Sequence, residues 1–345
     1  MSTTVVTHSL ISLPAPSEDV SGYVDGGGTY LRVVLFRFGE KFWSETFVSA
    51  DYASVNDVLK AAFCQAGAVP SKLVFALAGP IDLERGTVEM TNRPGWPIFS
   101  LSECEEDIGC HGNLVNDMEV QAADAVNTPP EFLIPIKPGH VWKDGRVVVV
   151  TCSTGLGVGI CEGGHTTRTE LGHGPVVGLT DLERSYCNFA ATTLRKPYAS
   201  IEQLVSGHHG FAMAVRWTKS LDFKPNRETR QLIKQLRDQG KDIGPAITTQ
   251  VANDPFAASI VRVIGGLYGS AIRQLMATLH PAAGVHLVGG VNAGAATIFA
   301  NPTYSPFLAR VNDRRLPHAN SVRSFAIVLN TDPSLVDRGA KALSQ

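Results

Sequence analysis

Between Gly22 and Phe47 apolar residues form two strand-like stretches broken at "DGGGT", and "KFWSETFV" then alternates apolar with polar positions. The pattern predicts three antiparallel strands at the start of the fold. "SVNDVLKAAFCQAG" follows, with Val55, Val58, Leu59, Ala62 and Phe63 on one face and Gly67 placed to stop it, which predicts a helix. "KLVFALAG" predicts a buried strand, and the resulting β-β-β-α-β order makes the sheet mixed rather than purely parallel. The apolar segment ending in "NLVND" gives way to helical spacing in "MEVQAADAV", so Asn116 and Asp117 are expected where a strand meets a helix.

Beyond the Pro-rich "NTPPEFLIPIKPGH", the stretch "RVVVVTCSTGLGVGICEGGHTTRT" repeats strand, glycine turn, strand, which suggests two duplicated lobes facing one another. The remainder predicts helices over 202–217 and 227–238 and through "PFAASIVRVIGGLYGSAIRQLMATLH". "GVHLVGGV" and "SFAIVLN" read as short buried strands, and "PSLVDRGAKALSQ" as a last helix. The expected organisation is a flexible tail over 1–21, a small α/β domain over 22–117 completed by a C-terminal helix over 333–345, and a large α/β domain over 118–332.

Composition narrows the function classes. The 345 residues are 44% hydrophobic and 18% charged with a net charge of -2, a balance that calls for neither nucleic acid nor an anionic membrane as partner. Six cysteines without a C-x-x-C pair argue against a disulfide framework and fit reduced thiols in the cytoplasm. The first twenty residues lack Lys and Arg and make poor secretory signal material. No apolar run is expected to reach the roughly 20 residues that span a bilayer.

The glycine turns carry the candidate chemistry. A turn such as "DGGGT" exposes backbone N–H groups that can hold phosphate oxygens, with Asp25 beside them to hold Mg²⁺ through water; as a plain hairpin it would need no ligand. "STGLG" offers a second such turn, and "GGVN" at a strand end offers bare backbone for an adenine or ribose, or close packing alone. Neither a P-loop nor a dinucleotide fingerprint is present.

In combination, "DGGGTYLR", "LAGPIDLERGTVEMTNRPGW", "LVNDMEVQA", "CSTGLGVG", "TELGHGP", "IEQLVSG" and "GGVN" resemble the bacterial-type glucokinases of the actin/hexokinase-like ATPase superfamily. The resemblance runs from about Gly22 to the final helix. It implies an α/β, two-lobed actin/hexokinase-like (ribonuclease H-like) fold with mixed central sheets and an interlobe cleft that closes on sugar. It also implies ATP and Mg²⁺ as cofactors, glucose or a related sugar or cyclitol as acceptor, and a homodimer. Nucleotide binding falls to Asp25, Gly27, Gly28 and Thr29, to Thr154 and Gly155, and to Gly289 and Gly290. Asp117 becomes the base that accepts the proton of the sugar 6-hydroxyl, which suits a carboxylate at a strand-to-helix edge. Asn116 becomes a ring-hydroxyl contact, although an "ND" pair also suits a helix cap.

The family's "EGGH" sugar element matches Glu162 to His165 literally, but that match falls in a predicted hairpin turn. "ELGH" after the hairpin is preferred, giving Glu170 and His173 for the 1- and 2-hydroxyls. Glu202 resembles a further sugar contact, and Asn92 lines the sugar entrance, where Trp96 equally suits a core anchor. Tyr30, the loss of one glycine in "ELGH" and the "SGHHG" loop depart from the family pattern and leave the acceptor open among glucose, amino sugars and cyclitols. His208 and His209 in that loop read as local structure, and the cysteine-rich zinc motif of the related repressor/kinase group is absent. A non-catalytic sugar sensor is the competing reading; the usual DNA-binding helices would not fit in about twenty residues before Gly22.

Overall fold

The computed structural model describes residues 13–26, 29–90, 95–313 and 324–344. Gly27, Gly28 and Asn92, three residues assigned to the site, lie outside this set. The chain divides into one unit of residues 1–123 with 336–345 and a second of residues 124–335.

The first unit is built on β1 (Pro16–Gly26), β2 (Tyr30–Arg37), β3 (Glu40–Val48), β4 (Val69–Leu77) and β8 (His111–Leu114), ordered β3-β2-β1-β4-β8. The first three strands are antiparallel, whereas β1, β4 and β8 run parallel. A small sheet of β5 (Ile81–Asp82), β6 (Thr87–Val88) and β7 (Phe99–Ser100) sits between β4 and β8 in the chain. Helix α1 (Val55–Ala66) buries the five apolar residues read from the sequence. The Ser54 hydroxyl caps its start by accepting the Asp57 N–H, and Gly67 ends it at a φ of 64°. Each Leu or Phe fully buried on that face stabilises the unit by about 1.5–3 kcal/mol.

Residues 16–21, read as tail, belong to β1 instead: Pro16 and Ser17 pair with Val69 and Pro70 before a register shift, a partnership far along the chain. Helices α2 (Leu101–Ile108) and α3 (Asp117–Ala123) complete the unit together with the C-terminal helix (Leu335–Ser344). The division falls after Ala123 because Val120 and Ala340 share an apolar cluster with Tyr23, Val34 and Val74.

The second unit repeats the sheet pattern. Strands β9 (Leu133–Lys137), β10 (Val147–Cys152), β11 (Leu156–Glu162), β12 (His165–Thr169), β13 (Gly284–Val288) and β14 (Ile327–Asn330) are ordered β12-β11-β10-β13-β14-β9. As in the first unit, two antiparallel steps lead into a parallel set, here β10, β13 and β14. The helices are α4 (Asp181–Leu194), α5 (Ile201–Val205), α6 (Ala212–Ser220), α7 (Arg227–Asp238), α8 (Gly244–Thr248), α9 (Pro255–Leu279), α10 (Gly290–Ala300) and α11 (Phe307–Val311).

Two expectations change here. Helix α9 is 25 residues long and apolar enough by composition to cross a bilayer, contrary to the sequence reading; 72% of its most apolar window is buried inside the protein, as befits a core helix. The helix expected over 202–217 is broken into α5, a π-turn over Gly207–Phe211, and α6. The break has a tertiary cause: the Gly207 N–H donates to the Ser153 carbonyl at 2.7 Å. A β-carbon on Gly207 would meet the Asp242 carboxylate, so only glycine brings the backbone this close.

Candidate active site

In the first unit the parallel strands end at one edge of the sheet, with Asp25 near the end of β1 and Asn116 and Asp117 just past β8. Burial raises the proton affinity of Asp25, the Asp117 charge raises it further, and Arg32, its cross-strand partner, offsets part of this. Arg32 is shared with Asp337 at 2.6 Å, and Lys41 reaches the same carboxylate at 2.6 Å. Burial opposes ionisation of Asp337, but the bonds from Lys41 and Arg32 prevail and hold its carboxyl below the ordinary value.

A partly buried carboxylate whose proton affinity is raised by a neighbouring like charge is what a divalent cation relieves, so Asp25 fits the water-mediated Mg²⁺ contact expected of it. The sign of the shift gives a prediction. A raised carboxylate pKa stabilises the fold fully below the ordinary Asp value of about 3.9, and this contribution is lost as pH rises through the raised value. Asp25→Asn is therefore expected to melt higher than wild type at neutral pH without ligands and to lose turnover. Thermal melts from pH 4 to 8 check it; a lower melting temperature at pH 7.5 contradicts it.

Asn116 takes the helix-cap role of its two sequence readings. Its Oδ1 accepts the Met118 N–H at 2.8 Å and its own N–H donates to Glu119 Oε2 at 2.8 Å, a reciprocal cap on α3. With Oδ1 committed, the group it can offer a sugar hydroxyl is its amide N–H. Asp117, the first residue of α3, is exposed. Thr29 is exposed too, and its carbonyl accepts the Ser49 N–H at 3.0 Å. Trp96 donates to the Tyr52 carbonyl at 3.0 Å and packs on the apolar core, in keeping with its anchor reading.

In the second unit Cys152 pairs with Leu156, leaving Ser153, Thr154 and Gly155 as a three-residue loop with Thr154 exposed at its tip. Gly289 and Gly290 follow β13, the parallel neighbour of β10, and a β-carbon on Gly289 would sit 2.7 Å from the Cys152 carbonyl. Nothing lies within 4 Å of the corresponding point on Gly290. The Ser153–Gly155 turn and the strand-end glycines therefore border one another, with open space at Gly290.

The two candidate sugar elements separate cleanly along the strands. Glu162 ends β11, at the opposite end from Leu156, about 20 Å away by strand rise. It is paired with Arg146 at 2.7 Å. Strand β12 returns until Thr169 faces Val158, which brings Glu170 and His173 back toward the Ser153–Gly155 turn. The glycine that "ELGH" retains is the necessary one: a β-carbon on Gly172 would sit 2.1 Å from the Leu156 carbonyl, whereas Leu171 packs on the core.

His173 Nε2 lies 3.4 Å from Glu170 Oε2, and its Nδ1 lies 3.9 Å from Glu202 Oε1. Glu170 and His173 expose 77% and 63% of their side chains and Glu202 only 22%, so Glu202 is the fixed member of the three. Its other oxygen accepts the Leu156 N–H at 3.0 Å. A cavity of about 330 Å³, lined by residues including His173, Lys196, Tyr198 and Gln203, opens beside the cluster. His208 and His209 are exposed with ring centroids 4.9 Å apart, and no group of three metal-ligating side chains occurs among the described residues.

The glucokinase family model matches residues 23–345. The chain belongs to the glucokinase family. Glucokinase from Stenotrophomonas maltophilia (strain K279a) is 31% identical over 138 residues, which are 37% of this chain and 40% of that relative's length. Among solved structures, glucokinase from an Antarctic psychrotroph superposes with a TM-score of 0.75 at 21% identity, covering 94% of this chain and 98% of that one. Glucokinase from Balamuthia mandrillaris, solved in complex with glucose, gives 0.70 at 18% identity, covering 94% and 93%. The fold is the α/β actin/hexokinase-like fold of these glucokinases.

Sequence reasoning missed Gly207 and Asp242. Asp242 Oδ1 accepts the Gly244 N–H at 2.8 Å while its other oxygen occupies the space beside Gly207, so the two brace Ser153 from behind. The only signal was the glycine in "SGHHG".

Proposed function

We propose that the protein is an ATP-dependent sugar kinase that phosphorylates the 6-hydroxyl of glucose. The observation that carries this reading is the contiguity of Glu170, His173 and Glu202 with the glycine turn at Gly155: hydroxyl-binding groups adjoin a turn suited to phosphate. Family membership supports the same activity.

In this reading His173 and Glu170 fix the 1- and 2-hydroxyls, with Glu202 behind them and Asn116 on a further ring hydroxyl. Asp117 accepts the proton of the 6-hydroxyl as that oxygen bonds to the terminal phosphorus; the bond from phosphorus to the bridging oxygen breaks and ADP leaves. The backbone of Gly27, Gly28 and Thr29 and of Thr154 and Gly155 receives the phosphates, and Gly289 and Gly290 border the adenosine. Asp25 would hold Mg²⁺ through water, and the ion would supply neutralisation of the phosphate charge.

A substituted acceptor is the second reading, favoured by the cavity beside His173, which has room for a group larger than a hydroxyl. The test is a coupled ADP-release assay with glucose, mannose, glucosamine, N-acetylglucosamine and cyclitols. Glucose is expected to give the highest kcat/KM. A substituted sugar or cyclitol in its place shifts the acceptor, and no acceptor-dependent turnover leaves the sensor reading.

A further inference from the structure

Glu202 presents a physical puzzle if the turn beside it carries phosphate. Its carboxylate lies against that turn: Oε2 accepts the Leu156 N–H at 3.0 Å, and a β-carbon on Gly155 would sit 2.7 Å from the same oxygen. An anion next to an anion site weakens nucleotide binding unless something draws its charge away. Oε1 points to what does so, since it faces His173 Nδ1 at 3.9 Å, on the side where the sugar cluster lies. The side chain is held in this position. It belongs to the first turn of α5, whose start is fixed by the reciprocal Ser200–Gln203 cap.

We propose that Glu202 is a positioning residue that couples the two ligands, one carboxylate oxygen reporting on the sugar cluster and the other setting the Gly155–Leu156 turn. This rests on the sugar-kinase reading above and adds to it a route by which sugar tightens nucleotide binding. Hydroxyls donating to Oε1, directly or through His173, withdraw charge from the carboxylate and so lessen its repulsion of phosphate. By linkage, bound nucleotide tightens sugar by the same factor. The absence of a side chain at Gly155 then has a second cause besides phosphate approach: it makes room for the Glu202 oxygen.

The test is a substitution in the phosphate turn read out on the sugar side. Gly155→Ala leaves the backbone unstrained, because Gly155 is not among the residues with positive φ, but its β-carbon displaces the Glu202 carboxylate. In the ligand-free protein the ¹H–¹⁵N resonances of the His173 ring are expected to move. Calorimetric titration with glucose, without nucleotide, is expected to show affinity weakened by about tenfold. Glu202→Asp added to Gly155→Ala retracts the carboxylate by one methylene and is expected to restore part of the loss. Unchanged ring resonances, or a glucose affinity within about twofold of wild type, overturns the coupling.

Should Gly155→Ala fail to fold, Glu202→Asp alone decides: it withdraws from Leu156 without crowding anything, and ADP binding without sugar is expected to change by about fivefold or more. Unchanged ADP affinity overturns the proposal. Should wild type bind no sugar, the kinase reading falls on its own, while the His173 resonances still judge the link between Gly155 and His173.

Discussion

Asp117→Asn is expected to lower kcat by about 10²–10⁴-fold, the range lost when a positioned general base is removed, while glucose affinity changes little. The amide keeps the size of the carboxylate and cannot take the 6-hydroxyl proton. Unfolding is excluded as the cause by the same substitution, because Asp117 raises the proton affinity of partly buried Asp25, and removing that like charge is expected to raise the melting temperature of the ligand-free protein. Loss of turnover with gained stability is the pattern of a group kept for chemistry. Steady-state kinetics, glucose calorimetry and a thermal melt on one preparation check all three. Turnover within about tenfold of wild type contradicts the assignment of the base.

Glu183→Ala is expected to have the largest effect on stability, about 3–5 kcal/mol, because it leaves the partly buried Arg310 cation without its carboxylate. Glu183 exposes only 3% of its side chain. Oε1 accepts from Arg310 Nη2 at 3.0 Å, and Oε2 accepts the Leu179 and Thr180 N–H groups at 2.6 and 3.0 Å. One side chain thus caps α4 and ties it to α11, and Gly266 of α9 leaves the space its carboxylate fills. Urea unfolding measures the loss. Glu183→Gln/Arg310→Met, which removes both charges and keeps the volume, is expected to recover much of it. A loss below about 1 kcal/mol for Glu183→Ala would assign the pair to a marginal role.

Much of the fold was legible because it is locally encoded. The face of α1, its stop at Gly67, the strand-turn-strand openings of both units and the strand-to-helix edge at Asn116 each follow from spacing and capping chemistry within a dozen residues. What escaped depends on contacts made by residues distant in sequence. The extension of β1 to Pro16 needs Val69 and Pro70 as partners, and the break between α5 and α6 needs the Ser153 carbonyl. The extent of α9 was legible, but not that its glycines pack against Ser305, Glu183 and Phe307 and so help bury a helix apolar enough to cross a bilayer.

The candidate site divides the same way. That "ELGH" and "EGGH" lie at opposite ends of β11 was legible by counting residues along two antiparallel strands, and Glu170 and His173 do follow β12 at the end of β11 that carries the Ser153–Gly155 turn. The double engagement of Glu202 was not legible. A glutamate in the first turn of a helix reads as a solvated residue, and nothing local shows that its carboxylate reaches Leu156, 46 residues earlier.

The central claim is phosphoryl transfer to a sugar hydroxyl, and ³¹P NMR follows that event directly. With purified protein, ATP, Mg²⁺ and glucose, a phosphomonoester resonance is expected to grow in step with the β-phosphate of ADP, and neither should appear when glucose is omitted. Formation of ADP with only inorganic phosphate, or no change in the ATP resonances with any sugar in the panel, would contradict the account.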